Sequence, residues 1–516
     1  MFKSCALRVA VQYKQQNSVI SLMRLIVKIA FFILSVSILT ACIDDDSFST
    51  SPSNLLTFST DTVSMDTVFS RVPSSTKKFW VYNRSGDGIR CVNVRQANGN
   101  QTGFRVNVDG VYLSPSAGFQ TSDVEIRKND SICVFVELTS PENGREGPQL
   151  HEDELVFLLE SGVEQRVNLC AYTWDAEMWR DVRLSHDTRI ENGGKPIIVY
   201  GGLTVDSMAT LEIDAGTVMY FHNDAGIDVY GTLKISGEPG NDVVLRCDRT
   251  DRMFDYLPYD MVSGMWQGIK LHSSSYGNEI DYADIHGTFD GIVCEASDVE
   301  RQKLQLNNST IHNCQGYGLR TVNCKVDVTN SQITNTLADC VSVCGGSVSL
   351  INCTVAQFYP FDARRGAALS FANHEGDEDY PLLRMDCINS IVTGYADDVV
   401  FSYASEDETV PNNYSFINSV LRTVKPDEEN GQMVDIIWEG AGRDDGEDGN
   451  NDDVIEGEKH FRLVDGDRQR YDFHLANGST AIGKANAGYL PPVDRDGTPR
   501  EGRNDIGCYV FIGEEQ

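Results

Sequence analysis

Positive charge is scarce in this chain of 516 residues. It has 43 Lys and Arg residues against 76 Asp and Glu residues, a formal net charge of -33. Proteins hold nucleic acid chiefly through Lys and Arg on its phosphates, and no basic stripe is present for such contacts. The sequence therefore excludes nucleic acid as a partner. Hydrophobic residues make up 41% of the chain, too many for a disordered acidic protein, so we expect two or three folded domains.

The motifs of several common enzyme classes are also missing. The sequence contains no Cys-x-x-Cys pair, no His-Glu-x-x-His zinc motif, no Gly-x-Ser-x-Gly elbow and no phosphate-binding loop. We therefore expect neither a metal nor a cofactor. The acidic run 444–453 does not fit the EF-hand template, because the sixth position from Asp448 is Asp453 and not glycine. Whether that run binds calcium or is only a solvated loop stays open, as does the redox state of the cysteines.

Long apolar runs are absent except for one, residues 25–41. This run is shorter than the ~20 apolar residues that a membrane-spanning helix needs. Basic residues stand at its start and small residues precede Cys42, an arrangement typical of a secretory signal. Residues 1–42 are therefore expected to form a secretory signal region that is removed up to Cys42, and Met23 would make a conventional start for it.

The tetrad Leu39-Thr40-Ala41-Cys42 resembles a bacterial lipobox, whose cysteine is lipidated and becomes the mature N-terminus. The acidic run 44–46 resembles the export signal that sends lipoproteins of some Gram-negative anaerobes to the outer leaflet of the outer membrane. A solvated acidic linker is the alternative interpretation of that run. These resemblances imply a lipid anchor at Cys42, the membrane as a partner, and a location on the outer membrane that faces the cell exterior.

Alternating apolar and polar residues with frequent turn signals extend over residues 56–175. Residues 104–108, which are followed by Asp109-Gly110, and residues 132–136 are two such strands. Several short strands over about 115 residues predict one β-sandwich. The region resembles the immunoglobulin-like domains that precede β-helices in surface lipoproteins, although the Cys-Trp-Cys pattern of antibody domains is absent.

A six-residue template repeats in the second half of the chain: apolar, any residue, asparagine, small, any residue, apolar. Its five copies place asparagine at Asn308, Asn330, Asn352, Asn389 and Asn418. The first three asparagines follow one another at intervals of 22 residues, and the longer later gaps imply inserted loops. Short β segments with this period predict a right-handed parallel β-helix, whose coils stack about 4.8 Å apart. The asparagines would form a structural ladder by hydrogen-bonding to their copies above and below.

The C-terminal region contains Asp-x-x-Gly, Arg and Asp-Ile-Gly-x-Tyr motifs, and it resembles the end segment of many bacterial β-helix proteins. That resemblance implies a cap that ties down the last coil and shields its sheet edges. The cap residues would be Asp494, Gly497, Arg500, Asp505, Gly507 and Tyr509.

As a whole, the chain resembles bacterial surface lipoproteins of the right-handed parallel β-helix repeat family, and it is expected to be all-β with about ten coils. The expected regions are a lipoprotein signal at 1–42, an acidic and polar linker at 43–55, an immunoglobulin-like β-sandwich at 56–175, a right-handed parallel β-helix at 176–425, an acidic inserted loop at 426–460 and a C-terminal cap at 461–516.

Parallel β-helices also include polysaccharide lyases and glycoside hydrolases, which use carboxylates and cations to cleave their substrates. The best candidates for such chemistry are Asp284, His286 and Asp290 together with Arg364 and Arg365. Polar coil corners and a solvated loop explain the same residues without catalysis, so no residue is assigned as catalytic. The preferred hypothesis is a non-catalytic, surface-displayed lipoprotein whose β-helix binds a glycan or a protein partner. The alternative is a diverged polysaccharide lyase or glycoside hydrolase.

Overall fold

The computed structural model describes residue 28 and residues 47–427, 431–442 and 455–513. Cys42, the run 44–46 and the run 444–453 lie outside these described residues. Contacts divide the chain into two units, one with residues 1–63, 76–137 and 152–169 and the other with residues 64–75, 138–151 and 170–516. None of the described helices has the length and apolar character to cross a membrane.

Eleven strands lie before residue 175. Their bounds are β1 (Leu56–Phe58), β2 (Thr62–Phe69), β3 (Lys77–Asn83), β4 (Ile89–Gln96), β5 (Phe104–Val108), β6 (Val111–Tyr112), β7 (Gln120–Thr121), β8 (Val124–Ile126), β9 (Ser131–Leu138), β10 (Gln149–Leu159) and β11 (Glu164–Trp174). One sheet has the order β1-β3-β9-β5-β6, and the other has the order β2-β11-β10-β4-β7 with β8 beside β4. The rings of Phe58 and Phe157, one from each sheet, lie 5.2 Å apart. The two sheets therefore face one another, while the immunoglobulin-like assignment stays a prediction.

The next 32 strands belong to the β-helix and its inserted hairpins. The first are β12 (Glu177–Leu184), β13 (Thr188–Ile190), β14 (Ile197–Val205), β15 (Thr210–Asp214), β16 (Val218–Phe221), β17 (Ile227–Val229), β18 (Thr232–Ser236), β19 (Val243–Cys247), β20 (Arg252–Phe254), β21 (Leu257–Pro258), β22 (Ile269–Leu271), β23 (Asn278–Asp281), β24 (Ala283–His286), β25 (Ile292–Cys294), β26 (Gln302–Asn307), β27 (Thr310–Cys314) and β28 (Leu319–Val322). The others are β29 (Lys325–Thr329), β30 (Gln332–Thr336), β31 (Val341–Cys344), β32 (Gly346–Ile351), β33 (Thr354–Gln357), β34 (Leu369–Ala372), β35 (His374–Glu375), β36 (Glu378–Asp379), β37 (Leu382–Ile388), β38 (Ile391–Gly394), β39 (Val400–Tyr403), β40 (Asn412–Ile417), β41 (Val420–Arg422), β42 (Met433–Val434) and β43 (Ile437–Glu439).

Three parallel ladders run through these strands. The first is β13-β15-β18-β23-β26-β29-β32-β37-β40-β42, with one strand per coil. The second is β14-β16-β19-β24-β27-β30-β33-β38-β41-β43, and the third is β12-β14-β17-β22-β25-β28-β31-β34-β39. The predicted parallel β-helix is therefore confirmed, and its first ladder has the ten strands that ten coils require. The handedness of the coils stays a prediction.

The β-helix extends beyond residue 425, into the segment that the sequence analysis assigned to an acidic loop. β42 pairs with β40 and β43 pairs with β41, both in parallel. Met433 and Trp438 pack against the core of the coils, which explains why this segment continues the ladders. These two short strands lack the asparagine template, so the repeat did not reveal them.

The core of the coils is a stack of inward side chains in register. Leu306, Val328, Leu350, Cys387 and Phe416 occupy one such column and are each fully buried. Burial of an aliphatic or aromatic side chain of this size contributes about 1.5–3 kcal/mol, so such columns stabilise the coils. Cysteine serves here as a small apolar residue, and all twelve described cysteines are free thiols.

The asparagine template marks a corner of five coils. All five asparagines have a left-handed backbone, with φ between 45° and 51°, which asparagine adopts more readily than most residues. Asn330 Nδ2 donates to Asn308 Oδ1 at 3.1 Å, and Asn389 Nδ2 donates to Asn352 Oδ1 at 3.2 Å. Two pairs of asparagine side chains are thus hydrogen-bonded directly, and residues from other chain segments provide the remaining hydrogen-bond partners.

The C-terminal segment supplies those remaining partners. It contains an antiparallel hairpin, β44 (Phe461–Asp465) and β45 (Arg470–Leu475). Arg500 donates to Asn330 Oδ1 at 3.1 Å, and Asn486 N donates to Asn389 Oδ1 at 2.7 Å. The segment therefore lies along the side of several coils, where the sequence analysis expected a cap on the last one.

Short 3-10 helices interrupt the described strands. They are Gly99–Gln101, Pro115–Ala117, Tyr259–Met261, Gly440–Gly442, Gly457–His460 and Ala487–Tyr489. The third of them contributes to the site described next.

Candidate functional site

Two outward columns of side chains on the second ladder define the face that carries the site. In register, Asp284 is followed on the next coils by Thr310 and Gln332, and His286 is followed by His312 and Thr334. Ile285, between the two, belongs to the core, so its neighbours on either side point outward. We call this outward side of the second ladder the site face.

The C-terminal segment covers only part of the site face. Ala356, Ile391 and Val420 lie on later coils of the second ladder and form a second apolar cluster with Phe473, Ile506 and other residues of that segment. The same segment also contacts polar residues of the face, since Arg495 Nε donates to Thr310 Oγ1 at 3.1 Å. The apolar cluster ends before the coils of Asp284 and His312, whose outward residues are polar or titratable.

A histidine–carboxylate network lies on these coils. His286 is buried, with Nδ1 2.9 Å from Asp284 Oδ1 and Nε2 2.9 Å from Asp260 Oδ1. His312 Nε2 lies 3.3 Å from the same Asp284 oxygen, and the two imidazole rings stack with centroids 4.7 Å apart. Arg246 pairs with Asp260 at 2.6 Å. Two carboxylates and three cationic or titratable groups are therefore held within direct contact of one another.

The network sets the protonation of its members. Burial alone would lower the pKa of His286, but the Asp284 charge and the hydrogen bonds to Asp260 and Asp284 outweigh it and raise the pKa to about 10. Burial likewise opposes ionisation of Asp284, yet both histidines hold its pKa well below the ordinary range. At neutral pH the network therefore contains a charged imidazolium between two ionised carboxylates.

A polar pocket of about 480 Å³ opens beside the network. Its lining residues include His312, Asn335, Arg462, Asp472 and Tyr509. The side chain of Asn335 is 1% exposed, and its Oδ1 accepts no hydrogen bond from any described residue. A buried carbonyl without a hydrogen-bond partner is energetically costly, and this oxygen lies beneath the surface of the pocket lining.

The opposite wall of the polar pocket carries a second histidine with carboxylate partners. His474 Nδ1 lies 2.6 Å from Asp472 Oδ1, and Nε2 lies 2.8 Å from Asp496 Oδ2. Its ring packs against Tyr509 at 4.1 Å, and the Tyr509 hydroxyl donates to Gln332 at 2.9 Å. Burial would lower the pKa of His474, but the hydrogen bonds to the two carboxylates raise it.

An aromatic pocket of about 490 Å³ adjoins the polar one. Met261 lines the polar pocket, and the next residues, Val262 and Ser263, line the aromatic pocket. Similarly, Tyr471 lines the polar pocket and Gln469 lines the aromatic pocket. We call the two adjoining pockets the groove.

Exposed rings line the aromatic pocket. Phe254 and Tyr256, on the β20–β21 hairpin, stack with centroids 5.6 Å apart and planes within 9°, and they are 54% and 57% exposed. Tyr359 and Phe361 also line it, and the Tyr359 hydroxyl lies 2.8 Å from Ser263 Oγ. Stacked rings that remain exposed offer flat apolar surface to a ligand.

The structure brings together two of the five sequence candidates, Asp284 and His286. Asp290 instead accepts the backbone N–H of Tyr317 at 2.8 Å at a coil corner. Arg364 is exposed and pairs with Asp362 at 2.9 Å. Among the contacts of residues 47–427, none joins Asp290 or Arg364 to the network.

Arg365 has a supporting place beside the aromatic pocket. Its Nε donates to the backbone oxygen of Tyr359 at 2.9 Å, and its guanidinium lies over the Tyr395 ring. These contacts hold the backbone of a residue that lines the aromatic pocket.

The predicted cap residues are distributed along the side of the coils. Arg500 and Gly507 contact the asparagine corners, and Tyr509 reaches Gln332 on the site face. Asp494 Oδ1 accepts the N–H groups of Asp496 and Thr498, and Asp505 Oδ1 accepts that of Gly483. Gly497 has φ of 81°, with Pro239 so close that a Cβ would collide with it. These contacts shape the cover, and Tyr509 also forms part of the groove.

Sequence reasoning missed His312, His474, Asp260 and the aromatic pocket. His312 follows His286 by 26 residues, a separation that becomes direct contact only when the coil register is known. Asp260 belongs to an insertion between β19 and β22, which also contains Phe254 and Tyr256. An aromatic-rich insertion between otherwise regular coils was the available signal.

Comparisons with known proteins leave the family open. No protein-family model matches the chain, and no curated protein matches it. A family 123 glycoside hydrolase from Clostridium perfringens is 11% identical over 24% of this chain and 26% of its own, with a TM-score of 0.17. The catalytic domain of a GH87 alpha-1,3-glucanase, solved with tetrasaccharides, is 11% identical over 70% of this chain and 87% of its own, with a TM-score of 0.15. Both TM-scores are too low to carry an argument about function.

Proposed function

We propose that this chain binds a glycan in the groove. The observation that carries the proposal is the pair of stacked, exposed rings of Phe254 and Tyr256 beside a pocket of polar side chains. Sugars present apolar C–H faces as well as hydroxyl groups, so a sugar site needs flat rings and hydrogen-bonding groups side by side. The groove supplies both.

The polar pocket offers specific partners for sugar hydroxyls. Asp472 is partly exposed and accepts from His474, so one of its oxygens can also accept a ligand hydroxyl. Arg462 adds a cation to the lining. Because Arg462 is positively charged, a neutral or acidic glycan fits this lining better than a cationic ligand does.

We infer further that a lipid anchor displays the groove outside the cell. The support is the tetrad Leu39-Thr40-Ala41-Cys42 and the acidic run 44–46 after it. In a Cys42→Ala variant the protein should leave the membrane fraction. External protease should remove the wild-type protein from intact cells, and protection from the protease would contradict outward display.

A glycan array with the full-length chain, followed by titration of each ligand found, tests glycan binding. Tyr256→Ala should weaken binding about threefold to tenfold, because ring stacking contributes about 0.5–1.5 kcal/mol beyond buried area. Tyr403→Ala is the matched control, since Tyr403 is 56% exposed and does not line either pocket. No ligand on the array, or equal weakening in both variants, would refute the proposal.

A second candidate function is cleavage of the bound glycan. The observation that favours it is the buried Asp284–His286–His312 network at the edge of the groove, because buried carboxylate–imidazole pairs serve as acids and bases in catalysis. Incubation with pectic, alginate and host glycans would reveal unsaturated ends by ultraviolet absorbance or new reducing ends. Turnover that Asp284→Ala abolishes would establish an enzyme, and the absence of turnover for a glycan that binds would leave a binding protein.

A further inference from the structure

We propose that Asp284, His286 and His312 bind a divalent transition-metal ion of the zinc class at the edge of the groove. Each of the three side chains offers one ligand atom, and these atoms all lie within 4.8 Å of one another. Two imidazoles and one carboxylate form a common ligand set for zinc and related ions. The inference goes beyond glycan binding, because the ligand set stands whether or not a glycan occupies the groove.

The coil register brings the three ligands together. His286 on β24 and His312 on β27 are direct partners in adjacent strands, and their rings stack with planes within 22°. Asp284 precedes His286 by two residues on the same strand, so both side chains point to the same side of the sheet. Three ligands on two neighbouring strands need no loop to hold them in place.

The distances from Asp284 to the two imidazoles are close to those of a zinc site. Ligand atoms that surround a tetrahedral zinc at about 2.0–2.2 Å lie about 3.4 Å from one another. Asp284 Oδ1 lies 2.9 Å from His286 Nδ1 and 3.3 Å from His312 Nε2. Because the two rings are stacked, they would also rotate so that both nitrogens point to the ion.

The surrounding groups orient His286 for this role. Its Nε2 donates to Asp260 Oδ1 at 2.9 Å, and Asp260 is held in turn by Arg246 at 2.6 Å. A carboxylate that accepts the N–H of one ring nitrogen fixes the ring and leaves the other nitrogen to the metal, as in many metal sites. Here that other nitrogen is Nδ1, the atom that faces Asp284.

Ion binding replaces one proton in this arrangement. Without an ion, His286 Nδ1–H donates to Asp284; with the ion, Nδ1 and the Asp284 oxygen both coordinate it, and the proton leaves to solvent. His312 coordinates through Nε2 as the neutral tautomer that carries its hydrogen on Nδ1, so it releases no proton in this step. No bond of the chain is broken, and no oxidant or reductant is required. His312 lines the polar pocket, so the ion would lie beside any ligand in the groove.

Metal analysis of the full-length chain tests the proposal. The protein is stripped with a chelator, dialysed against micromolar zinc sulfate with excess removed, and its zinc content is measured by mass spectrometry. We expect about one zinc per chain in the wild type, and a loss of most of it in Asp284→Asn and His312→Gln. Cobalt(II) in place of zinc should give visible d–d absorption bands in the wild type and not in these two variants.

The control is His222→Ala. His222 Nδ1 lies 2.7 Å from Asp248 Oδ2, and the described residues provide no third ligand for this pair. The control should keep the full zinc content, and circular dichroism checks that every variant is folded. A wild type without zinc or cobalt bands would overturn the proposal, as would equal zinc in His312→Gln or a loss of zinc in His222→Ala. Because no glycan enters the assay, its failure leaves glycan binding untouched.

Discussion

Replacement of Asn389 by alanine should strongly destabilise the β-helix. Asn389 is fully buried at a coil corner, with φ of 51°. Its side chain donates to Asn352 Oδ1 at 3.2 Å and to the Asn486 oxygen at 3.0 Å, and it accepts from Asn486 N at 2.7 Å. One side chain thus joins the corners of two coils to the C-terminal segment.

The expected cost has two parts. A buried polar group that loses its hydrogen-bond partner costs about 1–3 kcal/mol. The alanine variant would leave groups of Asn352 and Asn486 without partners, and water can reach part of Asn486, so we place this loss at about 3 kcal/mol. A left-handed backbone at alanine adds about 1 kcal/mol. Asn389→Ala should therefore lower the free energy of unfolding by about 4 kcal/mol, and Asn389→Gly by about 1 kcal/mol less, since glycine adopts this φ without strain.

Urea denaturation followed by circular dichroism measures these differences in the free energy of unfolding, with the same dependence of that free energy on urea concentration in every variant. Asn418→Ala is the matched control, because Asn418 has the same backbone, with φ of 45°, but is only half-buried and makes hydrogen bonds of 3.3 Å and 3.5 Å. Its cost should be about 1–2 kcal/mol. If Asn389→Ala costs no more than Asn418→Ala, the corner bonds do not stabilise the coils. If Asn389→Gly costs as much as Asn389→Ala, the backbone argument fails.

Three further predictions concern packing, pH and thiol reactivity. Phe358→Ala should lower the free energy of unfolding by about 3–5 kcal/mol, because this fully buried ring packs between the coils and the C-terminal segment; a cost below about 1 kcal/mol would contradict that packing. The pKa of His474 is raised and that of Asp496 is lowered, so the pair stabilises the fold fully between pH 3.8 and pH 6.5. His474→Gln should therefore lower the free energy of unfolding most in that pH range, and less as the pH rises through the pKa of His474 in the folded protein. A difference that stays constant across pH would refute this prediction. A thiol reagent added to the native protein should modify only Cys133 and Cys170 among the twelve described cysteines, which peptide mass spectrometry checks, since the other ten are buried.

The repeat could be predicted from sequence because each coil obeys the same local rule. Asn308 and Asn330 recur at 22 residues because a left-handed corner recurs in each coil, and asparagine tolerates that backbone. The parallel ladders follow from the same repeat. The lateral course of the C-terminal segment could not be predicted, because Arg500 and Asn486 bind to corners that are 170 and 97 residues away in the chain.

The candidate site was only half visible for a related reason. Asp284 and His286 are two residues apart and stood out as a local cluster. Asp260 and His312 complete the network from neighbouring coils, each 26 residues from His286. Local spacing rules for metal ligands detect pairs on one helix or one loop, so a ligand set that spans two coils escapes them.

The column that contains His286 and His312 departs from what a structural column requires. On later coils the same column continues with Thr334, Ala356 and Thr393, whose small side chains stack without charge. The two imidazoles stack with centroids 4.7 Å apart, and one oxygen of Asp284 lies 2.9 Å from His286 Nδ1 and 3.3 Å from His312 Nε2. The two histidines lie beside the groove, where we propose that a glycan and a metal ion bind, and the small uncharged residues of the column lie on the later coils.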